Sequence, residues 1–126
     1  MSELKRIETP NAPAAVGAYS QAVVAGNFVF TSASLPMDPV SRAIPDDVKA
    51  QATVSMQNIK ALLEAAGTSM GKVVKASIFL TDMDDFSVVN EVYSTYFTQP
   101  FPARSCFAVK TLPLGSKVGI EVVAML

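Results

Sequence analysis

The sequence predicts an α+β domain in which one mixed β-sheet carries two helices on one face. Three observations lead there. Apolar residues fall in short strand-like runs at both ends of the chain, with two stretches of helical period between them. The resulting order, β-β-β-α-β-α-β-β, supplies two helices, enough to cover one face of one sheet. The length, 126 residues, suits a single domain spanning 1–126.

Residues 4–9 read as a short first strand, and 11–16, which holds Pro13 and follows Pro10, as a loop. Residues 19–24 and 27–34 are strand-like and flank Ala25-Gly26, which suggests a hairpin. Residues 35–45 hold three prolines and read as a surface loop. The period then changes: Val48, Ala52, Met56, Ile59, Leu62, Leu63 and Ala66 recur at helical spacing. Asp46 or Asp47 is placed to cap this helix, and Gly67 to end it. A strand follows over 72–80, with Val74, Ala76, Ile78 and Leu80 expected on one face and Val73 and Phe79 on the other. Such a strand is apolar on both sides, as a strand covered twice would be.

Thr81 or Asp82 can cap the second helix, whose apolar stripe is Phe86, Val89, Tyr93 and Tyr96 or Phe97. Residues 99–102 break it. Strands are expected over 103–111 and 117–125, joined by a turn at 112–116 containing Pro113 and Gly115. The last strand is apolar on both sides apart from Gly119 and Glu121. With both helices used on one face, the other face needs a partner, and self-association is the simple solution.

Composition agrees. Hydrophobic residues make up 50 % of the chain and charged residues 17 %, against about 25 % charged in average proteins. That excess exceeds what one small core requires. The net charge of −1, with Lys and Arg scattered singly, argues against a nucleic-acid binder. One cysteine makes no internal disulfide and fits a reducing compartment. No apolar run is long enough to span a membrane, and no signal peptide follows Lys5 and Arg6. A cytoplasmic location is the default expectation.

Several chemistries are absent. Without histidine there is no Ser-His-Asp or Cys-His machinery and no His-ligated zinc, and one cysteine cannot supply a Cys₄ site. No metal site is expected. The segment GTSMGK at 67–72 imitates a P-loop but is one residue short between its glycines. Val73 stands where a Ser or Thr would bind magnesium, and the segment leads into a strand. A helix cap and turn explain it. Helix capping likewise accounts for the acidic group Asp82, Asp84 and Asp85.

What remains is FPARSC at 101–106, followed after a turn by a strand with one charge, Glu121. Charges in apolar strands are costly unless partnered. Arg104 offers a planar fork suited to a carboxylate. Glu121 is suited to hold a water or move a proton, and Tyr19 to wall a small pocket. If the last two strands form a hairpin, Arg104 and Glu121 face one cavity. They then form either a structural ion pair or a carboxylate-binding site. Cys106 is two residues from Arg104 and shares its face. With no histidine as base, it reads as pocket lining or core more readily than as a nucleophile.

At these residues the chain resembles the RidA family, also called YjgF. NAPAAVGAYSQA at 11–22, AAG at 65–67, VVKASIFLTDMDDFSVVNEVY at 73–93 and FPARSC match its motifs in order, over almost the whole chain. The resemblance implies a chorismate-mutase-like fold and a homotrimer whose sheets form a central barrel, with ligand clefts between subunits. It implies cofactor-free hydrolysis of reactive 2-imino or 2-aminoenoic acids to 2-keto acids and ammonia. In that reading Arg104 binds the substrate carboxylate and Glu121 attends the attacking water. Tyr19, Ser32 and Asn90 belong to the site, and Cys106 matches a frequent pocket cysteine. The implied partner is a small 2-imino or 2-keto acid. Translation inhibition, chaperone-like binding and, more weakly, RNA cleavage are the alternatives described for such proteins.

Two departures stand out. The family's Ser-Gly-Gln is Ser32-Ala33-Ser34 here, so a methyl at Ala33 is expected to crowd a ligand or to meet a glycine-only backbone angle. The family's Gly-Pro-Tyr is Gly17-Ala18-Tyr19.

Overall fold

A computed structural model describes residues 3–126. Six strands form one mixed sheet: β1 (Lys5–Ile7), β2 (Ala22–Ala25), β3 (Phe28–Thr31), β4 (Val73–Leu80), β5 (Ala103–Ala108) and β6 (Val118–Met125). Two α-helices, α1 (Val48–Ala65) and α2 (Phe86–Ser94), complete the expected element order. The spatial order is β1-β2-β3-β6-β4-β5. Only β4 and β5 pair in parallel, linked by a crossover through α2.

The turn chemistry read from the sequence holds. Gly26 takes φ 59° in the β2–β3 hairpin, where a side chain would be strained. Asp47 caps α1, its carboxylate accepting the Ala50 N–H at 3.0 Å. Gly67, at φ 86°, closes α1, while the Thr68 N–H donates back to the Leu63 carbonyl at 2.9 Å. The P-loop look-alike is this cap plus one short 3₁₀ turn, Met70–Lys72, leading into β4. The second helix departs from the expectation: Asp82 caps a 3₁₀ turn, Met83–Asp85, and α2 follows from Asp85 without a side-chain cap.

Strand alternation builds the core. Ala76, Ile78 and Leu80 of β4 lie in register with Val122, Ile120 and Val118 of β6, and all six are buried. They pack with Met56, Ile59 and Leu63 of α1 and Val89 and Tyr93 of α2 in one cluster. Val73 departs from the expectation. A bulge between Val73 and Lys75 shifts the parity, so Val73 pairs with Ala124 and joins the core. The opposite face carries Lys75, Ser77 and Phe79 of β4 and Glu121 and Val123 of β6.

That face is open. Phe28, Phe30 and Met125 on it are 41 %, 43 % and 43 % exposed. Phe107 of β5, in register with Phe79, is 56 % exposed.

Buried polar groups on α1 complete the fold. Gln51, Ser55 and Asn58 are spaced at helical intervals and all buried. The Gln51 amide donates to the Pro45 carbonyl at 2.7 Å and accepts the Lys117 N–H at 2.8 Å. The Ser55 hydroxyl donates to the Ser34 carbonyl at 3.1 Å. Asn58 donates to the carbonyls of Leu35 and Met37 at 3.2 and 2.9 Å. This seam holds the proline-rich loop to the helix by satisfying backbone groups that strands would otherwise satisfy. Asn58→Ala leaves two carbonyls short of a donor and is expected to cost about 1–3 kcal/mol. Urea denaturation checks the stability. Hydrogen exchange should rise over residues 35–37 and stay unchanged in β4.

Candidate functional site

Arg104 sits on β5, the edge strand, in register with Ala76 and through it with Val122. Both of those face the helices, so Arg104 does too. Its guanidinium lies 5.3 Å from the Phe86 ring centre and 5.0 Å from that of Tyr93, both on α2. Nη1 donates to Oδ1 of Asn90, also on α2, at 2.6 Å. Phe86, Asn90 and Tyr93 recur at helical spacing, so one helix face presents two rings and an amide to one arginine. The side chain is exposed and has no acidic partner among the described residues, whose one ion pair joins Arg6 and Glu8. It is a positioned cation whose remaining guanidinium donors, apart from the Nη1 bond to Asn90, are free for an anion.

Cys106 shares that face and packs against the core cluster. Burial pushes its thiol pKa up, with Arg104 opposing part of the shift. A protonated thiol is a poor nucleophile, which agrees with a lining role. Burial raises the Tyr93 hydroxyl too, again partly opposed by Arg104. That hydroxyl is buried without a hydrogen-bond partner.

Glu121 does not join them. The hairpin expected between the last two strands is absent, because β4 is inserted between β5 and β6. Ser77 pairs with Glu121 on one side and Ser105 on the other, one residue out of step with the Arg104 row. Glu121 therefore projects from the open face while Arg104 projects from the helix face. The two neither pair nor share a cavity within one chain, and the ion-pair alternative falls.

Tyr19, Ser32 and Ala33 do come together. They line a cavity of about 550 Å³ with Val16, Leu35, Met37, Arg42 and the 112–114 turn among its other walls. Tyr19 lies outside the strand expected for it, since β2 begins at Ala22. Its hydroxyl accepts the Val16 N–H at 3.3 Å. The loop is held by Gln21, whose amide nitrogen donates to the carbonyls of Thr9, Ala12 and Pro13 at 3.0, 3.1 and 2.7 Å. The Ser32 hydroxyl donates to the Ser20 carbonyl at 2.6 Å.

Past β3, Thr31, Ser32 and Ala33 oppose only Glu121 and Val122, between the pairs Phe30–Val123 and Ser34–Ile120. This extra residue makes a bulge that turns Ser32 and Ala33 toward the cavity beside the Glu121 strand. Ala33 is not among the residues with positive φ, so no glycine-only angle exists there. Its methyl simply forms part of the wall.

A sequence profile described as Endoribonuclease L-PSP, that of the YjgF/RidA proteins, matches residues 9–126. The chain belongs to the RidA family. It is 47 % identical over 124 residues to 2-iminobutanoate/2-iminopropanoate deaminase of Salmonella typhimurium, covering 96 % of this chain and 97 % of that one. The Escherichia coli protein of the same name is 46 % identical with the same coverage. Among solved structures, E. coli TdcF with bound serine superposes with a TM-score of 0.92 at 43 % identity, over 97 % of this chain and 98 % of that one. RidA from Psychrobacter superposes with a TM-score of 0.93 at 46 % identity, over 97 % of this chain and 99 % of that one. The α+β fold with one mixed sheet and two helices is thus the RidA fold.

Two features of this RidA-family site escaped the sequence. Phe86 and Tyr93 read in the sequence only as part of an apolar helix stripe, and the fold shows that they and Asn90, which the resemblance groups with the site, bracket Arg104. Arg42 gave no signal, sitting in a loop defined by prolines. The raised Cys106 pKa predicts slow alkylation by iodoacetamide at pH 7.5 compared with a free peptide thiol. The rate should still be rising with pH beyond the ordinary value of 9.0, where a free thiol begins to level off, and Arg104→Ala should slow it further. A fast reaction at neutral pH would contradict the buried-thiol reading.

Proposed function

We propose that this protein hydrolyses 2-imino acids, and their 2-aminoenoic tautomers, to 2-keto acids and ammonia, without a cofactor. The single observation that carries the reading is the state of Arg104. A guanidinium bracketed by two rings, tied to an amide and lacking an acidic partner is prepared for a carboxylate. The names of the relatives point to the same chemistry.

In this mechanism Arg104 holds the substrate carboxylate and so fixes the adjacent C=N carbon. Asn90 and Tyr93 position the guanidinium. Glu121 orients a water whose oxygen adds to that carbon, taking a proton from the water and passing it to nitrogen. The carbinolamine O–H proton then passes to nitrogen, again by way of Glu121, and ammonia leaves as the C–N bond breaks and the C=O bond forms. Tyr19 and Ser32 line the cleft, with Ala33 and Cys106 as small wall residues.

Because Arg104 and Glu121 leave opposite faces of the sheet, one chain cannot bring both to one substrate. A second copy has to supply the missing half. The exposed Phe28, Phe30, Phe107 and Met125 are the surface such copies would bury. We assign a homotrimer with the open faces lining a central barrel and the helices outside. A cytoplasmic location fits chemistry on short-lived metabolic imines. RNA cleavage is disfavoured by the absence of histidine and the net charge of −1. A carboxylate-binding trimer without turnover is the second reading. It is favoured by the separation of Glu121 from Arg104 within one chain, since binding needs the arginine and not the glutamate.

The test couples threonine dehydratase to semicarbazide trapping. Wild-type protein should cut semicarbazone formation from 2-iminobutanoate. Arg104→Ala and Glu121→Ala should each lose about 100-fold or more in kcat/KM, in the range of general acid–base catalysis. In a thermal-shift assay 2-ketobutyrate should stabilise wild type and Glu121→Ala but not Arg104→Ala. That binding pattern without any wild-type turnover would instead establish the carboxylate-binding reading.

A further inference from the structure

The cavity that gathers Tyr19, Ser32 and Ala33 has one charged wall residue, Arg42. Most other walls are apolar: Val16, Leu35, Met37, Leu112 and Leu114 among them. At about 550 Å³ the cavity falls within the ~300–1,000 Å³ range of pockets for drug-sized ligands, so a four-carbon acid leaves much of it empty.

Arg42 is placed there by its backbone. Asp38 organises a tight loop, its Oδ1 accepting the N–H groups of Val40 and Ser41 at 2.9 and 2.8 Å. Those bonds hold the Asp38 carboxyl below its ordinary pKa. The Arg42 N–H donates to the Asp38 carbonyl, and Asp38 in turn donates to the Ala43 carbonyl, both at 2.9 Å. The loop puts Arg42 at φ 64°, a left-handed conformation that disfavours every residue with a Cβ. A glycine would be the stable choice, yet an arginine occupies it. Among the described residues its guanidinium meets no acidic partner, and none of the side-chain hydrogen bonds involves it.

We infer that Arg42 is a specificity-determining residue that selects substrates with a second, distal carboxylate. The favoured class is then 2-imino dicarboxylic acids. Arg104 does not line this cavity within one chain, so the second copy already required supplies it; it takes the carboxylate beside the C=N bond, and Arg42 takes the one at the far end, across the apolar walls. This rests on the reading of the cleft as the imine site. Arg42 is exposed to solvent while lining a cavity whose other walls are mostly apolar, and its fork gives a carboxylate a charge-assisted pair that a methyl group cannot make.

The experiment compares 2-iminoglutarate, generated from glutamate by a glutamate oxidase, with 2-iminobutanoate, by semicarbazide trapping. The readout is the ratio of the two kcat/KM values. Arg42→Met keeps length and removes charge. Arg42→Gly also relieves the left-handed backbone, so it should fold at least as well as wild type. Both should lower the glutarate-to-butanoate ratio by about tenfold or more, and Arg42→Lys should restore part of it. In parallel, 2-oxoglutarate should raise the wild-type Tm more than 2-ketobutyrate does, a difference that both charge-removing variants abolish.

If wild type hydrolyses 2-iminobutanoate but the ratio is the same in all variants, the role of Arg42 is overturned and the imine reading stands. If neither imine is hydrolysed but the Arg42-dependent difference in Tm persists, the distal carboxylate subsite stands and the hydrolase reading fails. If neither turnover nor any difference in Tm occurs, both fail.

Discussion

Registered neighbours in a sheet point to one face, and that alternation governs everything this protein can do. Arg104, Ala76 and Val122 form one row across three strands, and Ser105, Ser77 and Glu121 form the next. The first row looks into the helices and the second away from them. No rotamer change brings a side chain through a sheet, so the two charges are separated by a constraint stronger than any ion-pair attraction. The separation of the free cation from Glu121 follows from that placement.

The helix face and the open face accordingly do different work. On the helix face α2 provides rings and an amide that fix one guanidinium without neutralising it. An acidic partner would have satisfied Arg104 more strongly and neutralised its charge. On the open face the sheet leaves aromatic surface exposed around a lone glutamate. The edge position of β5 matters as well, since a central strand would have enclosed Arg104 between neighbours.

The loops around the cavity are held by side chains standing in for strands. Gln21 gathers three backbone carbonyls of the N-terminal loop. Gln51, Ser55 and Asn58 do the same for the segment after β3. Buried carbonyls need donors wherever the ladder stops. The amides meet that need and leave the cavity walls in defined positions without extending the sheet.

The elements were legible in the sequence because their signals are local. Helical period marked α1, glycine and aspartate marked its ends, and alternation marked β4 and β6, with the bulge at Val73 the one parity error. The motifs of residues 11–22, 73–93 and 101–106 were sufficient to recognise the family. Strand order was not legible. Adjacency in sequence suggested a hairpin between β5 and β6, whereas β4 fills that gap. A long-range pairing is decided by which apolar faces pack together, and no short window contains that information. For the same reason only the tertiary structure could send Arg104 and Glu121 to opposite faces, clear Ala33 of backbone strain and bring Arg42 to the cavity wall. Residue chemistry is written in the chain, but which residues meet depends on the packing of the whole sheet.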